Sequence, residues 1–304
     1  LVIGDCGIDL VLVGEHIAVE FGQVERLVDE ARLTLGGSAA ITAAGAARLE
    51  MRTVLASTVG DDLFGSFATS ELKARGVDLR GLSVRQDHAT GVTVVLSRGD
   101  DRAILTAVGS IPTLRPEDLA DEWLSRARHV HVSSYFLLDE LRAHLPGLFR
   151  RAHSESASTS LDTNWDPRET WDGDIAAVLE HTDYLLVNEA EVRALARARD
   201  LAVAIETLAR SGTALVVKKG SLGAALCNQS RCVAAEAFPI DAVDTTGAGD
   251  SFASGFIAGV LHGYDGETSL KVGCACGALS TRAPGGIPAQ PTWTEVCTLT
   301  GIAP

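Results

Sequence analysis

Short apolar runs recur along the chain with helix-like segments between them, and this alternation constrains the fold more than any other feature. "LVIGD" (1–5), "RTVLASTVG" (52–60), "HVHVSS" (129–134), "STSLDTN" (158–164), "YLLVNE" (184–189) and "ALVVKKG" (214–220) read as strands. "AAITAAGAARLE", "LFGSFATSELKARG", "DLADEWLSRA", "LRAHLPGLFRRAHSE" and "EVRALARARD" read as the helices between them. Strands that alternate with helices through short connectors imply an α/β fold with a mainly parallel sheet covered on both faces. Ligands of such a sheet gather at the C-terminal ends of its strands.

Two stretches break the alternation. Residues 9–35 and 90–107 have the pattern of antiparallel strands, and "TVVLSRGDDRAIL" carries a Gly-Asp turn between alternating runs, a hairpin signal. Both lie in the first third of the chain and suit a small accessory sheet. No internal repeat, low-complexity linker or Pro-rich boundary divides the sequence, so one domain over 1–304 with a β appendage is expected.

Composition removes several functions. The 304 residues are 46% hydrophobic, enough for a sizeable core and too apolar for wholesale disorder. Lys and Arg number 26 against 40 Asp and Glu, a net charge of −14 that argues against a nucleic-acid or anionic-membrane surface. A small anion is still admissible, because a local cradle of backbone N–H groups outweighs global charge. The six cysteines, at 6, 227, 232, 274, 276 and 297, form no C-x-x-C pair. Reduced buried thiols in a cytoplasmic protein are therefore expected. The sequence opens directly on the strand-like "LVIGD", so no leader segment is expected, and no apolar run in it reaches membrane-spanning length.

The chemistry concentrates in "DTTGAGDSF" (244–252), followed by the apolar "FASGFIAGVL". With "AFPIDAV" read as a strand leading in, the N–H groups of Gly247, Ala248, Gly249 and Asp250 fall at a helix N-terminus, an anion hole. Asp250 has the bland alternative of an N-cap. Asp244, six residues earlier on the same turn, asks for a second explanation: one acid as base, the other as an anchor for a cation. Competing motifs are missing: no Walker A, no complete dinucleotide fingerprint, no G-x-S-x-G and no H-E-x-x-H.

Further candidates sit at strand ends. Asn188 and Glu191 in "LLVNEAEVRAL" share the first turn of a helix, either as a cap or as a holder for Mg²⁺ and its waters. Gly36 and Gly37 precede a small-residue helix, as a tight turn or as backbone brought against a polar ligand. Asp9 interrupts an apolar run and, if buried, wants hydroxyl partners.

In order along the chain, Asp9 in "GDCGID", "GGSAA" (36–40), "VGDDLFG" (59–65), "TGVTVVL" (90–96), "NEAE" (188–191), "KGSLGA" (219–224) and "DTTGAGD" (244–250) are similar to motifs of one family. Over essentially its whole length the chain resembles the ribokinase-like (PfkB) carbohydrate kinases, and "SLDTNWDPRETW" (160–171) looks like their sugar-kinase branch. The resemblance implies a three-layer αβα sandwich with a small β-sheet lid, the lid being the 9–35 and 90–107 segments. It implies an ATP-dependent phosphotransferase acting on a sugar hydroxyl, with Asp250 as base and Gly247, Ala248 and Gly249 as anion hole. Asn188 and Glu191 then position Mg²⁺ through water, and Lys218, Gly220 and Gly223 fall at the nucleotide loop. Asp9, Gly36 and Gly37 match contacts to substrate hydroxyls, and Asp244 with the Thr246 carbonyl matches ligands of an activating K⁺, completed from "STRAPGG". A homodimer through the lid is compatible with this family.

Two departures bear on the substrate. Ile41 stands where the family commonly carries Asn, and Gly273 where a polar residue often lies near adenine. A phosphosugar substrate would need basic residues near Asp9, with Arg102 a candidate. The rival readings are a nucleoside kinase of the same fold and a catalytically silent sugar or nucleotide sensor. The 5% aromatic content and "DTNWDP" favour a sugar over a nucleoside, and the joint presence of Asp250, Asn188 and Glu191 speaks against silence.

Overall fold

The structure, a computed structural model, describes residues 1–14, 17, 19–98, 101–171, 174–229 and 231–303. The strands are β1 (Val2–Ile3), β2 (Gly7–Val13), β3 (Glu30–Gly36), β4 (Leu55–Gly60), β5 (Leu82–Arg85), β6 (Gly91–Arg98) and β7 (Asp101–Ala107). They continue as β8 (His129–Ser133), β9 (Ser158–Asp162), β10 (Tyr184–Asn188), β11 (Ala214–Lys218), β12 (Ala224–Cys227) and β13 (Cys232–Ala235). The helices are α1 (Ser38–Arg48), α2 (Leu63–Ala74), α3 (Asp121–Arg126), α4 (Leu145–Ser154) and α5 (Ile175–Leu179). They close with α6 (Glu189–Leu195), α7 (Leu201–Ala209), α8 (Ala248–Leu261), α9 (Gly266–Ser280) and α10 (Trp293–Thr300).

Nine strands form one sheet in the order β13-β12-β11-β10-β9-β8-β1-β4-β5. Every pair from β11 to β5 is parallel, and at the edge the β11–β12 and β12–β13 pairs are antiparallel. Alternation of side chains explains why the central strands read as unbroken apolar runs: both faces are buried. Leu185 and Val187 of β10 and Leu215 and Val217 of β11 join Phe149, Leu145 and Leu208 on one face. Leu186 and Val216 join Phe252, Phe256 and Leu270 of α8 and α9 on the other. Fully burying a side chain such as Phe256 contributes roughly 2–3 kcal/mol. Among the described residues no helix is long and apolar enough to cross a membrane.

Close to α8 the sheet carries a polar ladder. Ser158 Oγ meets His129 Nδ1 at 2.7 Å, and His129 Nε2 meets Ser160 Oγ at 2.7 Å. Ser160 Oγ also meets His131 Nδ1 at 2.7 Å, and His131 Nε2 meets Ser133 Oγ at 2.8 Å. Alternate positions of β8 and β9 face the same way, which aligns these five side chains.

The second sheet has four strands in the order β3-β2-β6-β7. The pairs β2–β3 and β6–β7 are antiparallel as expected, but β2 and β6 run parallel, joining the two hairpin-like segments side by side. The Gly-Asp turn expected at 99–100 lies outside the described residues.

Three local readings are corrected. "AFPIDAV" is not a strand: β13 ends at Ala235, Pro239 has no N–H to give a ladder, and Phe238 and Ile240 pack beside the α9–α10 core instead. Cys227 and Cys232 are not free thiols but a disulfide, because the β12–β13 register sets them opposite each other, a tertiary fact their spacing does not advertise. Cys6, Cys274, Cys276 and Cys297 are free and buried, as expected. The third correction concerns Asp250, which lies inside the first turn of α8; the N-cap is Gly247.

Candidate active site

The C-terminal edge of the main sheet, the N-terminus of α8 and the inner face of the lid enclose a cleft of about 340 Å³. Asp9, Thr93 and Thr106 reach it from β2, β6 and β7, Ser38 and Ile41 from α1, and Asp250 from α8. The alternation of strand residues puts Thr93 and Val95 on the cleft side of β6.

Gly247 caps α8 at φ +68°, a left-handed conformation that a side chain would strain. A Cβ there would also lie 2.6 Å from Gly286 Cα and 3.1 Å from Ile41 Cγ2, so this turn is pressed between α1 and the 281–287 segment. The opening N–H groups of a helix have no partner within it. That of Ala248 turns back to the Thr245 carbonyl at 3.2 Å, which withdraws it from the expected anion hole, whereas those of Gly247, Gly249 and Asp250 make no such return bond among the described residues.

Asp250 stands at the foot of the cleft. Its Oδ1 accepts the hydroxyl of Ser38, and its backbone carbonyl accepts Thr42 Oγ1 at 3.4 Å. Burial pushes its carboxyl up to about 7; the Ser38 hydrogen bond and the Lys218 ammonium pull the other way, while Asp162 and Asp5 add to the rise. Asp5 is buried in turn and accepts the N–H groups of Ser38 and Ala39, each at 3.0 Å, capping α1. Burial raises its pKa despite those bonds.

Lys218 ends β11 and pairs with Asp162 at the end of β9, Nζ to Oδ2 at 2.5 Å. Burial disfavours its charge, but Asp162 and Glu191 outweigh that and hold its pKa above the ordinary value. A side-chain carbon at Gly249 would come 3.6 Å from Nζ, so the ammonium lies beside the first turn of α8. Gly220 and Gly223 form the turn between β11 and β12 just beyond it.

Asn188 and Glu191 realise the capping box: Asn188 Oδ1 accepts the Glu191 N–H at 2.9 Å, and Glu191 Oε2 accepts the Asn188 N–H at 2.8 Å. Glu191 is nevertheless buried, and burial raises its pKa against the pull of Lys218. Mg²⁺ takes few protein carboxylates and keeps phosphate and water oxygens, so one buried carboxylate within reach of the Lys218 charge fits its chemistry.

Asp244 has local work. Its Oδ1 accepts the N–H and hydroxyl of Thr246, at 2.9 and 2.7 Å, and its Oδ2 accepts the Gly285 N–H at 2.8 Å. The carboxylate thus ties the glycine turn to "STRAPGG", which accounts for an acid here before any ion is invoked.

Gly36 does not line the cleft. A Cβ on it would clash with Asp9 Oδ1, so its bare face seats the Asp9 carboxylate. Gly37 does line the cleft, as the N-cap of α1. Gly273 packs under the Phe252 ring. Arg102 sits on β7, and its side chain lies outside the described residues. Sequence reasoning missed Asp5, Ser38, Ser134, Asp162 and Asn164. Asp162 and Asn164 carried a signal, a carboxylate and an amide at the end of the run "STSLDTN". Asn164 Nδ2 donates to Ser134 Oγ at 3.0 Å, with both residues at positive φ on the cleft edge.

The chain matches the pfkB family carbohydrate kinases over residues 1–293. It is 34% identical to the ATP-dependent ribose-1-phosphate kinase of Halopiger xanaduensis over 263 residues, covering 86% of this chain and 85% of the relative. A ribokinase II candidate from E. coli, solved with ATP and Mg²⁺, superposes with a TM-score of 0.83 at 26% identity, covering 99% of this chain and 98% of that one. Arabidopsis thaliana ribokinase, solved with ribose and ATP, shares the fold at a TM-score of 0.86 and 23% identity, covering 99% and 98%. The likeness takes in both the nine-stranded sheet and the four-stranded lid. The chain belongs to the pfkB family and is a carbohydrate kinase, a phosphotransferase with an alcohol group as acceptor.

Proposed function

We propose that this kinase transfers the γ-phosphoryl group of ATP to a hydroxyl of a small, uncharged sugar, with Asp250 as the base. The observation that carries this reading is Asp250 itself, held at the N-terminus of α8 and pushed up to about 7 at the foot of a hydroxyl-lined cleft. A general base is most effective with a pKa near the working pH. When bound, ATP supplies the phosphoryl group and Mg²⁺ offsets its charge; the rest is positioning and electrostatics.

Asp250 takes the proton of the acceptor hydroxyl. The Gly247, Gly249 and Asp250 N–H groups, with Lys218 beside them, stabilise the charge on the transferred group. Asn188 and Glu191 would hold Mg²⁺, and the turn at Gly220 and Gly223 would border the nucleotide. Asp9 and the Gly37 backbone bind acceptor hydroxyls, and Ile41 gives the acceptor an apolar edge. K⁺ at Asp244 and the Thr246 carbonyl, and pairing of two copies through the lid, are further parts of this proposal.

The preference for an uncharged acceptor rests on the lining: Asp5, Asp9 and Asp250 face the cleft, and its described lining residues include no lysine or arginine. Among the described lining residues a dianionic phosphosugar would meet carboxylates without a counter-charge. The test is acceptor-dependent ADP release over pentoses, hexoses, keto-acid sugars, nucleosides and ribose-1-phosphate. A free sugar should give the highest kcat/KM. Ribose-1-phosphate or a nucleoside as the best acceptor would overturn the substrate class, and ADP release independent of every acceptor would overturn the reaction.

A further inference from the structure

Ser38 is the first residue of α1, and two bonds fix it in place. Its N–H goes to Asp5 Oδ2 at 3.0 Å, and its hydroxyl donates to Asp250 Oδ1. It therefore stands between two carboxylates of the same cleft, one buried behind it and one in front. The "GGS" turn delivers it: Gly37 caps the helix, and the buried Asp5 sets the direction from which the serine points.

We propose that Ser38 is a positioning residue for phosphoryl transfer, its hydroxyl holding Oδ1 of Asp250 so that Oδ2 is the oxygen presented to the acceptor. The inference rests on the reading of Asp250 as base. In the transfer, the acceptor O–H gives its proton to Oδ2 and the acceptor oxygen bonds to the γ-phosphorus. The bond from that phosphorus to the bridging oxygen breaks, and ADP leaves. A carboxylate free to rotate would offer either oxygen, in either orientation; one held by a hydroxyl offers a single lone-pair direction.

The same hydrogen bond has an electrostatic consequence. Asp5 and Asp162 bring negative charge toward Asp250, and Lys218 is the cation that faces it. Ser38 is the neutral donor that favours the ionised form. Its loss leaves the base harder to ionise, which acts only where the base titrates.

The experiment compares Ser38→Ala and Ser38→Thr with the native protein in kcat/KM for the preferred acceptor across pH. Alanine keeps the N–H to Asp5, so the cap of α1 survives. Losing one hydrogen bond to a charged group should move the acid limb upward by about one pH unit, roughly a tenfold larger loss on the acid side than on the alkaline plateau. Threonine, which keeps the hydroxyl, should return the limb toward its native position. An equal loss at every pH, an unmoved profile, or a folded threonine variant that behaves like alanine would overturn the proposal. Asp250→Asn is measured alongside. If it stays active, the base assignment has failed; if it is inactive while the Ser38 variants keep the native limb, only the role of Ser38 has failed.

Discussion

Acid should destabilise this fold through the buried ladder, and His131→Gln isolates the effect. His131 is 1% exposed and lies between two serine hydroxyls. Ser160 touches both rings and has one proton to give, so it donates to one ring and accepts from the other. A charged His131 would be a donor at both nitrogens and would break that alternation. Burial, with Lys218 adding and Asp162 opposing, lowers its pKa from the ordinary 6.5 to about 4. The unfolded chain therefore takes up a proton that the folded chain refuses. His131 is neutral in both states above the unfolded pKa, and stability falls as the pH drops from about 6.5 toward about 4. At 1.36 kcal/mol per unit, the cost is about 2 kcal/mol at pH ~5 and about 3 kcal/mol across the whole window. His131→Gln loses ladder bonds worth about 1–2 kcal/mol at any pH but removes the titration. Urea unfolding followed by tryptophan fluorescence should find the variant less stable at pH ~7.5 and level with the native protein, or above it, at pH ~5. Asp250, raised to about 7, favours the folded state as pH falls, but it does so in both proteins and cancels in the difference. A stability gap that is the same at both pH values would refute the reasoning.

Asp250→Asn should lower kcat by at least about a hundredfold while ATP still binds, and near-native turnover would remove it as the base. Glu191→Gln preserves the capping box, since Gln also suits that position, so a rise in the Mg²⁺ needed for half-maximal rate would report on the ion alone. An unchanged Mg²⁺ titration would leave Glu191 as a cap. Ile41→Asn should raise kcat/KM for ribose relative to the preferred acceptor by about tenfold or more, the scale of one unpaired hydroxyl. It should also cost stability, because Ile41 fills the space against Gly286, where a Cβ would lie 2.7 Å from its Cδ1. Replacing Na⁺ by K⁺ at constant ionic strength should raise the rate and Asp244→Ala should abolish that response; equal rates in both salts would leave Asp244 as a loop tie.

Local sequence determined the sheet because its signal is carried by consecutive residues. Leu185 to Val187 and Leu215 to Val217 are apolar without interruption only because helices cover both faces, and that is written in the runs themselves. The glycine turn is equally local: Gly247 needs its positive φ whatever packs around it, and α8 follows from the apolar stretch behind. The resemblance of the ordered motifs extended this to the lid and to Asp9, Asp250, Asn188 and Glu191.

What the sequence could not reveal are the pairings between distant residues. Ser38 reaches Asp250 across 212 positions, and Lys218 reaches Asp162 across 56. Neither serine nor aspartate announces such a partner, since both are common at helix starts and strand ends for local reasons. Gly36 was open to two readings until β2 and β3 paired and filled its bare face with Asp9. Ala248 looked like part of the anion hole until the turn directed its N–H back to Thr245. The disulfide depended on the β12–β13 register. Periodicity and turn chemistry are properties of neighbours along the chain and can be read there. The charge around Asp250 comes from Asp162 on β9, Lys218 on β11 and Asp5 in the loop after β1, and only packing them together sets its pKa.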